Sequence, residues 1–466
     1  MMPTQRWSFP AGFALLLTIA LGGHSSPGQL IQSGFDFDPR PDGWVLSDWA
    51  LQIHSAGGWS ASGGQPGGHA YNPGGGAGVF WRSPGADITP MDYVKVQFDA
   101  QGAGQPWVCG LGLNAAATFG RYPSANAAAG QLVADDWTAF PSPASWTTHT
   151  YYTRARVNAA QQAIRLMGQD VKFDNVLVTA AGRDEVRAWA QSVYQSQMPP
   201  VNYIPPADRF DRLPRTASRL TSGHTFKIVM LGDSIMNDTG NSPLDVLLEG
   251  RRPGTRVEVV TAVGGGTGVD KWNSDDAYAW PSHDLNLQQA VIDQQPDLVL
   301  IGGISNGENY DDFRQLIDRI VAGVQTGAGY APDVMLLTGA FGQNPQDPAG
   351  YAAQLHAIAD EKNAAFLDMR AVTEQYFADA DAQGYARDFF YRDTVHANHL
   401  GKQVLGRVLT EHLVPEPTTL ALLAAAGLLR LPRRRVARRP DPPVAGQRLD
   451  RRLHRSSTLP PRAPGI

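Results

Sequence analysis

Lys227-Ile228-Val229-Met230-Leu231-Gly232-Asp233-Ser234 reads as a short apolar strand that runs into a sharp turn carrying a serine. Counting from Phe226–Leu231, further apolar runs follow at Arg256–Val260, Leu298–Gly302, Val334–Thr338 and Ala365–Leu367. Between them lie helical patterns such as Phe313–Val324, Tyr351–Glu361 and Leu400–Leu413. Five strands joined by crossover helices predict an α/β domain over 226–413, with a parallel sheet covered on both faces. Reactive groups in such a sheet belong at the carboxyl ends of the strands.

Each chemical motif of this half falls at such an end. Gly232-Asp233-Ser234 closes the first strand, Val263-Gly264-Gly265-Gly266-Thr267-Gly268 follows the second, and Gly302-Gly303-Ile304-Ser305-Asn306-Gly307 ends the third. About 160 residues beyond the serine, Asp393-Thr394-Val395-His396-Ala397-Asn398 supplies an acid and an imidazole three positions apart, just before the last helix. Serine, histidine and aspartate are the parts of nucleophilic acyl-transfer chemistry. A serine hydroxyl is a poor nucleophile until a base takes its proton, and an imidazole with a reference pKa near ~6.5 is the matching base.

Plainer readings stand beside these. Gly232 and Asp233 also suit a strand-to-helix turn, and Asp233 is expected to support it. The glycines at 264–266 and 268 could cradle a phosphate, but no lysine follows in P-loop spacing and the dinucleotide fingerprint is not matched. Asp393, His396 and His399 could hold a metal, although no third strong ligand of known spacing accompanies them. His399 reads as a surface residue at a helix N-terminus. Trp272 and Tyr310 either border a cleft or pack in the core.

Taken in order, the four blocks resemble the SGNH (GDSL-type) hydrolase family over about 190 residues. The resemblance implies a flavodoxin-like three-layer α/β/α domain and an esterase that uses neither metal nor cofactor. It makes Ser234 the nucleophile, His396 the base and Asp393 the group that orients the imidazole. It also implies an oxyanion hole formed by the backbone N–H groups of Ser234 and Gly265 and the side chain of Asn306. The third block departs from the family's Gly-x-Asn-Asp, since Gly303-Ile304-Ser305-Asn306 is one residue longer, and Ser305 is the alternative donor.

The preceding region, residues 34–179, has a different grain. Alternating runs at Tyr93–Phe98, Thr147–Tyr152 and Val171–Val178, separated by Gly/Pro/Asn clusters, predict an all-β domain. Seven of the eleven tryptophans fall here (Trp44, Trp49, Trp59, Trp81, Trp107, Trp137 and Trp146), either as core or as a sugar-stacking platform. Phe35-Asp36-Phe37-Asp38 and Lys172-Phe173-Asp174-Asn175-Val176 resemble the first and last strands of a carbohydrate-binding jelly-roll sandwich. Residues 183–225 connect the halves: a helix over Asp184–Gln197, then prolines at 199, 200, 205, 206 and 214 that stop regular structure, with Tyr194, Tyr203, Phe210 and Leu213 as anchors of an ordered strap.

Both ends read as addresses. Arg6, the apolar run Ala11–Leu21 and the small residues after it have the layout of a secretory signal peptide over 1–28. Val414-Pro415-Glu416-Pro417, the apolar run Leu420–Leu429 and Arg433-Arg434-Arg435 resemble a PEP-CTERM sorting signal over 414–435, with a basic, Pro-rich tail of disordered composition at 436–466. The plainer reading of the apolar run is a short buried helix. The resemblance implies an exported protein of a Gram-negative bacterium, in the periplasm, envelope or medium, processed by an exosortase.

The 466 residues are 42% hydrophobic and 18% charged, enough for two cored domains, and the net charge of −5 gives no basic footprint for nucleic acid. A single cysteine, Cys109, excludes an internal disulfide framework. The partner expected is an ester substrate, an O-acetylated polysaccharide first and a lipid or other carboxylester second. A non-catalytic envelope or matrix carbohydrate-binding protein built on the same fold is the reading from another class.

Overall fold

Five parallel strands organise the C-terminal half of the computed structural model, which describes residues 29–33, 45–47, 59–64, 67–71, 79–82, 92–113, 132–155, 161–275, 286–303, 309–341 and 347–415. The leader 1–28, Phe35–Asp38, Ser305, Asn306 and everything past Pro415 lie outside those residues. Among the described residues, no helix is long and apolar enough to cross a membrane.

The N-terminal half consists of two antiparallel sheets. Its strands are β1 (Gln29–Ser33), β2 (Val45–Ser47), β3 (Trp59–Gly64), β4 (Gly67–Tyr71), β5 (Val79–Arg82), β6 (Tyr93–Gly102), β7 (Trp107–Leu113), β8 (Leu132–Ala139), β9 (Thr147–Arg154), β10 (Gln161–Met167) and β11 (Val171–Ala181). One sheet runs β3-β4-β11-β6-β9 with β1 also on β11, and the other runs β2-β5-β10-β7-β8. Period-two alternation along β6 turns Val94, Val96, Phe98 and Ala100 inward. They meet Val108 of β7 and Ile164 and Leu166 of β10, so the two sheets share one core. The sheet takes in Gln29–Ser33, ahead of the expected start at 34.

Of the seven tryptophans, Trp107, Trp137 and Trp146 have described side chains, and none of the three is among the buried residues of this core. Trp137 is buried with Arg165 over its ring, while Trp107 and Trp146 are only half-buried. β-Branched and smaller aromatic side chains fill the space between the sheets instead, where they fit a pleated surface closely.

The connector packs on the core of the α/β half through Tyr194, Tyr203 and Phe210. Helix α1 (Arg183–Gln197) leads into a segment whose Arg209 donates to His412 O (2.8 Å) and Val414 O (3.0 Å), and Leu213 is fully buried. Pro214 does not stop structure. It opens helix α2 (Pro214–Ser222), because at the first helical position its missing N–H has no partner to lose.

The C-terminal half then alternates: β12 (Phe226–Gly232), α3 (Ser234–Gly240), α4 (Leu244–Arg251), β13 (Val257–Val263), α5 (Val269–Trp272), β14 (Leu298–Gly303), α6 (Tyr310–Ala328), β15 (Asp333–Thr338), α7 (Pro348–Glu361), β16 (Ala365–Leu367), α8 (Met369–Asp381) and α9 (His399–Leu413). The sheet order β13-β12-β14-β15-β16 is parallel throughout. Ile228 and Met230 of β12 face a core with α3, α4, α8 and α9, while Val229 and Leu231 face a second core with α5, α6 and α7. This is a doubly wound three-layer α/β domain. The order in which strands are added reverses between β12 and β14, so the carboxyl end of β12 is the switch point where such folds form a crevice.

The two halves meet through buried charge. Arg154 at the end of β9 donates to Asp245 of α4 (3.0 Å) and to the carbonyls of Gly240 (2.7 Å) and Ser242 (3.1 Å), with Tyr93 completing the set. Breaking one partner of such a buried pair costs about 3–5 kcal/mol, so this contact fixes one docking geometry.

Candidate active site

β12 delivers Ser234 to the switch point. The strand ends at Gly232, and Asp233 caps α3 by accepting from the Ile235 N–H (2.9 Å), which makes Ser234 the first residue of the helix. The packing allows no side chain at two neighbouring positions. A Cβ on Gly232 would lie 1.9 Å from Gly302 O, and one on Gly303, at φ +144°, would lie 2.4 Å from the Asp233 carboxylate. Gly264 N–H donates to Gly232 O (2.8 Å), so the glycine turn after β13 begins beside the serine turn. Within that turn Gly266 takes φ +68°, and Gly265 is partly exposed.

The segment before α9 brings the other two groups. Asp393 accepts from the backbone N–H groups of Val395 and His396, both at 2.9 Å, which folds 393–396 into a tight turn. His396 Nδ1 lies 2.8 Å from Asp393 Oδ2 and 3.0 Å from Oδ1, and its Nε2 lies 2.8 Å from Ser234 Oγ. A carboxylate can only accept, so Nδ1 carries the proton and donates to Asp393. Nε2 is then left with a lone pair aimed at the serine hydroxyl, which donates to it. Burial acts to raise the Asp393 carboxyl, but the hydrogen bond and charge of His396, the Val395 N–H and the Arg392 guanidinium outweigh it and hold the group at about 2. Asp393 is therefore charged at neutral pH. With the Asp393 and His396 side chains 37% and 22% exposed, the array opens to solvent.

Other sequence candidates fall elsewhere. His399 is not a surface residue: it is 7% exposed, its N–H donates to Thr138 Oγ1 of β8 (2.8 Å), and its ring packs on Phe140 at 4.7 Å. Burial, with the charges of Lys402 and His149, pushes its imidazole down to about 3. Its position at the start of α9 is set by Asn398, which caps that helix by accepting from Leu400 and Gly401 N–H. Trp272 is core, edge-on to Phe313, with its indole N–H donating to Thr267 Oγ1 (2.9 Å); Tyr310 packs half-buried on the same core.

Two residues that the sequence reading did not single out stand behind the array. Arg392, buried beside Asp393, pairs with Asp238, which lies one helical turn after Ser234 on α3. The i, i+4 spacing from Ser234 places Asp238 on the serine's side of the helix, but nothing local announces its partner.

The fold and the array together define a doubly wound α/β domain with a hydrogen-bonded Ser–His–Asp relay at its switch point. No family model matches the sequence, and no curated protein matches it. Among solved structures, the chain is similar to a two-domain esterase active on acetylated mannans, with a TM-score of 0.33 and 20% identity over 44% of this chain and 52% of that one. It thus spans about half the length of that protein. It is also similar to an acetyl xylan esterase (TM-score 0.30, 22% identity, 40% of this chain and 98% of that one). A third is an acetylxylan esterase from Geobacillus stearothermophilus (TM-score 0.31, 20% identity, 42% and 97%). Scores of this size leave the functional reading to the geometry of the site.

Proposed function

We propose that this protein is an SGNH-type serine esterase. The observation that carries the reading is the continuous relay from Ser234 Oγ through the His396 ring to Asp393, open to solvent at the carboxyl ends of the strands. Ser234 Oγ attacks the ester carbonyl carbon while His396 Nε2 takes its proton, and charged Asp393 stabilises the imidazolium. The tetrahedral oxyanion is met by the Ser234 and Gly265 N–H groups and the Asn306 amide. Each such donor contributes about 2.7–4 kcal/mol of barrier lowering. Collapse expels the alcohol, which takes the proton from His396. A water activated by the same imidazole then releases the acid from Ser234.

The ester we favour is an O-acetyl group on a polysaccharide. That is what the motif resemblance implies, and the antiparallel sandwich, read as a carbohydrate-binding jelly roll, would hold polymer near the crevice. Purified full-length chain should hydrolyse p-nitrophenyl acetate and release acetate from acetylated polymer, and Ser234→Ala should do neither. Faster turnover of long-chain acyl esters than of acetyl esters would move the substrate to lipid, and equal rates for wild type and Ser234→Ala would end the hydrolase reading. We further propose that the protein is exported and cut at its PEP-CTERM-like signal. Mass spectrometry of the exported form should then find no peptides from 436–466, and their recovery would make that segment an ordinary tail.

A further inference from the structure

The turn bearing Asp393 and His396 contains no helix or strand of its own, yet it holds His396 Nε2 2.8 Å from a serine on another element. Its two flanks are tied to one carboxylate. Asp238 Oδ1 accepts from Arg392 Nη1 on the near side, and Asp238 Oδ2 accepts from Ala397 N–H (2.9 Å) on the far side. The same Arg392 Nη1 donates to Ala397 O (2.8 Å), closing the turn on itself, and Arg392 N–H donates to His396 O (2.9 Å). Asp238 is 1% exposed and belongs to the helix that Ser234 begins.

We propose that Asp238 and Arg392 are positioning residues: they clamp the 392–397 turn to the nucleophile's own helix, so that one helical turn of α3 sets the distance between His396 and Ser234. Strand β8 backs the clamp. Trp137 O accepts from Lys402 Nζ and lies 3.5 Å from Arg392 Nη1. Plain stabilisation explains the arrangement poorly, since a buried ion pair roughly repays its own desolvation and a hydrophobic pair would do as well. Geometry explains it better, because a misplacement of about 1 Å in a reacting group costs on the order of 100-fold in rate.

The inference rests on the esterase reading, and the test separates the two. Wild-type turnover that Ser234→Ala lacks establishes the reading; no wild-type turnover overturns it and the clamp with it. Against that baseline, Asp238→Asn and the double variant Asp238→Asn/Arg392→Gln are assayed in the full chain. The double variant removes both charges together and leaves no buried ion alone. The clamp predicts a cooperatively melting double variant with KM within about twofold of wild type and kcat lower by roughly 10- to 100-fold. Its pH–rate profile should keep its acid limb nearly in place, because the two charges are lost together and the net charge beside the relay does not change. A folded double variant with wild-type kcat overturns the proposal, as does a loss of rate that comes with a displaced acid limb, which would make the role electrostatic. If neither variant folds, the pair is a folding element and the proposal fails.

Discussion

Two polar regions meet at the start of α9, and water reaches only one of them. On the strand-end side Ser234, His396 and Asp393 form an open relay. On the β8 side His399, Lys402, Asp136 and Thr138 are buried, with Lys402 Nζ 2.6 Å from Asp136 Oδ1 and His399 N–H on Thr138. The side-chain types are much the same. The difference teaches that solvent access, together with an acceptor nitrogen left facing a hydroxyl, makes a reactive group, whereas complete pairing in the interior makes a joint between domains.

The histidines give the sharpest way to break that contrast. His396→Ala should lower kcat by about 10⁴-fold or more, while His399→Ala should keep kcat within tenfold and lower the melting temperature instead. Steady-state kinetics and thermal melts on both variants decide it, and a reversed order would exchange the roles assigned to the two regions.

Next in size is the effect expected at the proposed oxyanion donor, Asn306. Asn306→Ala should reduce kcat by roughly 100- to 1000-fold with little change in KM. Should Ser305→Ala produce that loss and Asn306→Ala none, the extra residue of the third block has moved the donor by one position.

The smallest effect belongs to the buried side and appears as a slope. His399 is held at about 3 against an ordinary 6.5, so below pH 6.5 the unfolded chain takes up a proton that the folded chain refuses. The stability this neutral histidine permits is present above pH 6.5 and is lost as pH falls toward 3, at up to about 1.4 kcal/mol per pH unit. Buried His412 and half-buried His149, each lowered to about 4, act in the same sense. Asp393 acts lower down: its folded value of about 2 against 3.8 gives stability above 3.8 that is lost as pH falls through 2. Urea midpoints between pH 7 and 4.5 should therefore fall less steeply for His399→Phe than for wild type, and equal slopes would show that His399 takes up its proton in the folded chain.

What could be read from the chain followed the range of the signals. β12 to β16 were legible because a strand buried on both faces is an unbroken apolar run, and Ala365–Leu367 coincides end to end with β16. Asp393 and His396 were legible as a unit because their contact spans three residues. β1 was missed since Gln29-Leu30-Ile31-Gln32-Ser33 is short and half polar and follows a leader-like segment. The Arg392–Asp238 and Lys402–Asp136 pairs join residues 154 and 266 positions apart, and no local pattern marks a charge whose burial depends on so distant a partner. His399 went astray for the same reason: the first turn of a helix is usually wet, and Thr138 of β8 with Phe140 just beyond it makes this one dry.

Covalent capture tests Ser234 as the reacting residue most directly. The full-length protein, treated with an organophosphate ester and mapped by peptide mass spectrometry, should carry one adduct, on Ser234, formed with loss of esterase activity and far more slowly in His396→Ala. An adduct on another residue with Ser234 untouched, or undiminished ester turnover in the fully labelled protein, would contradict that role.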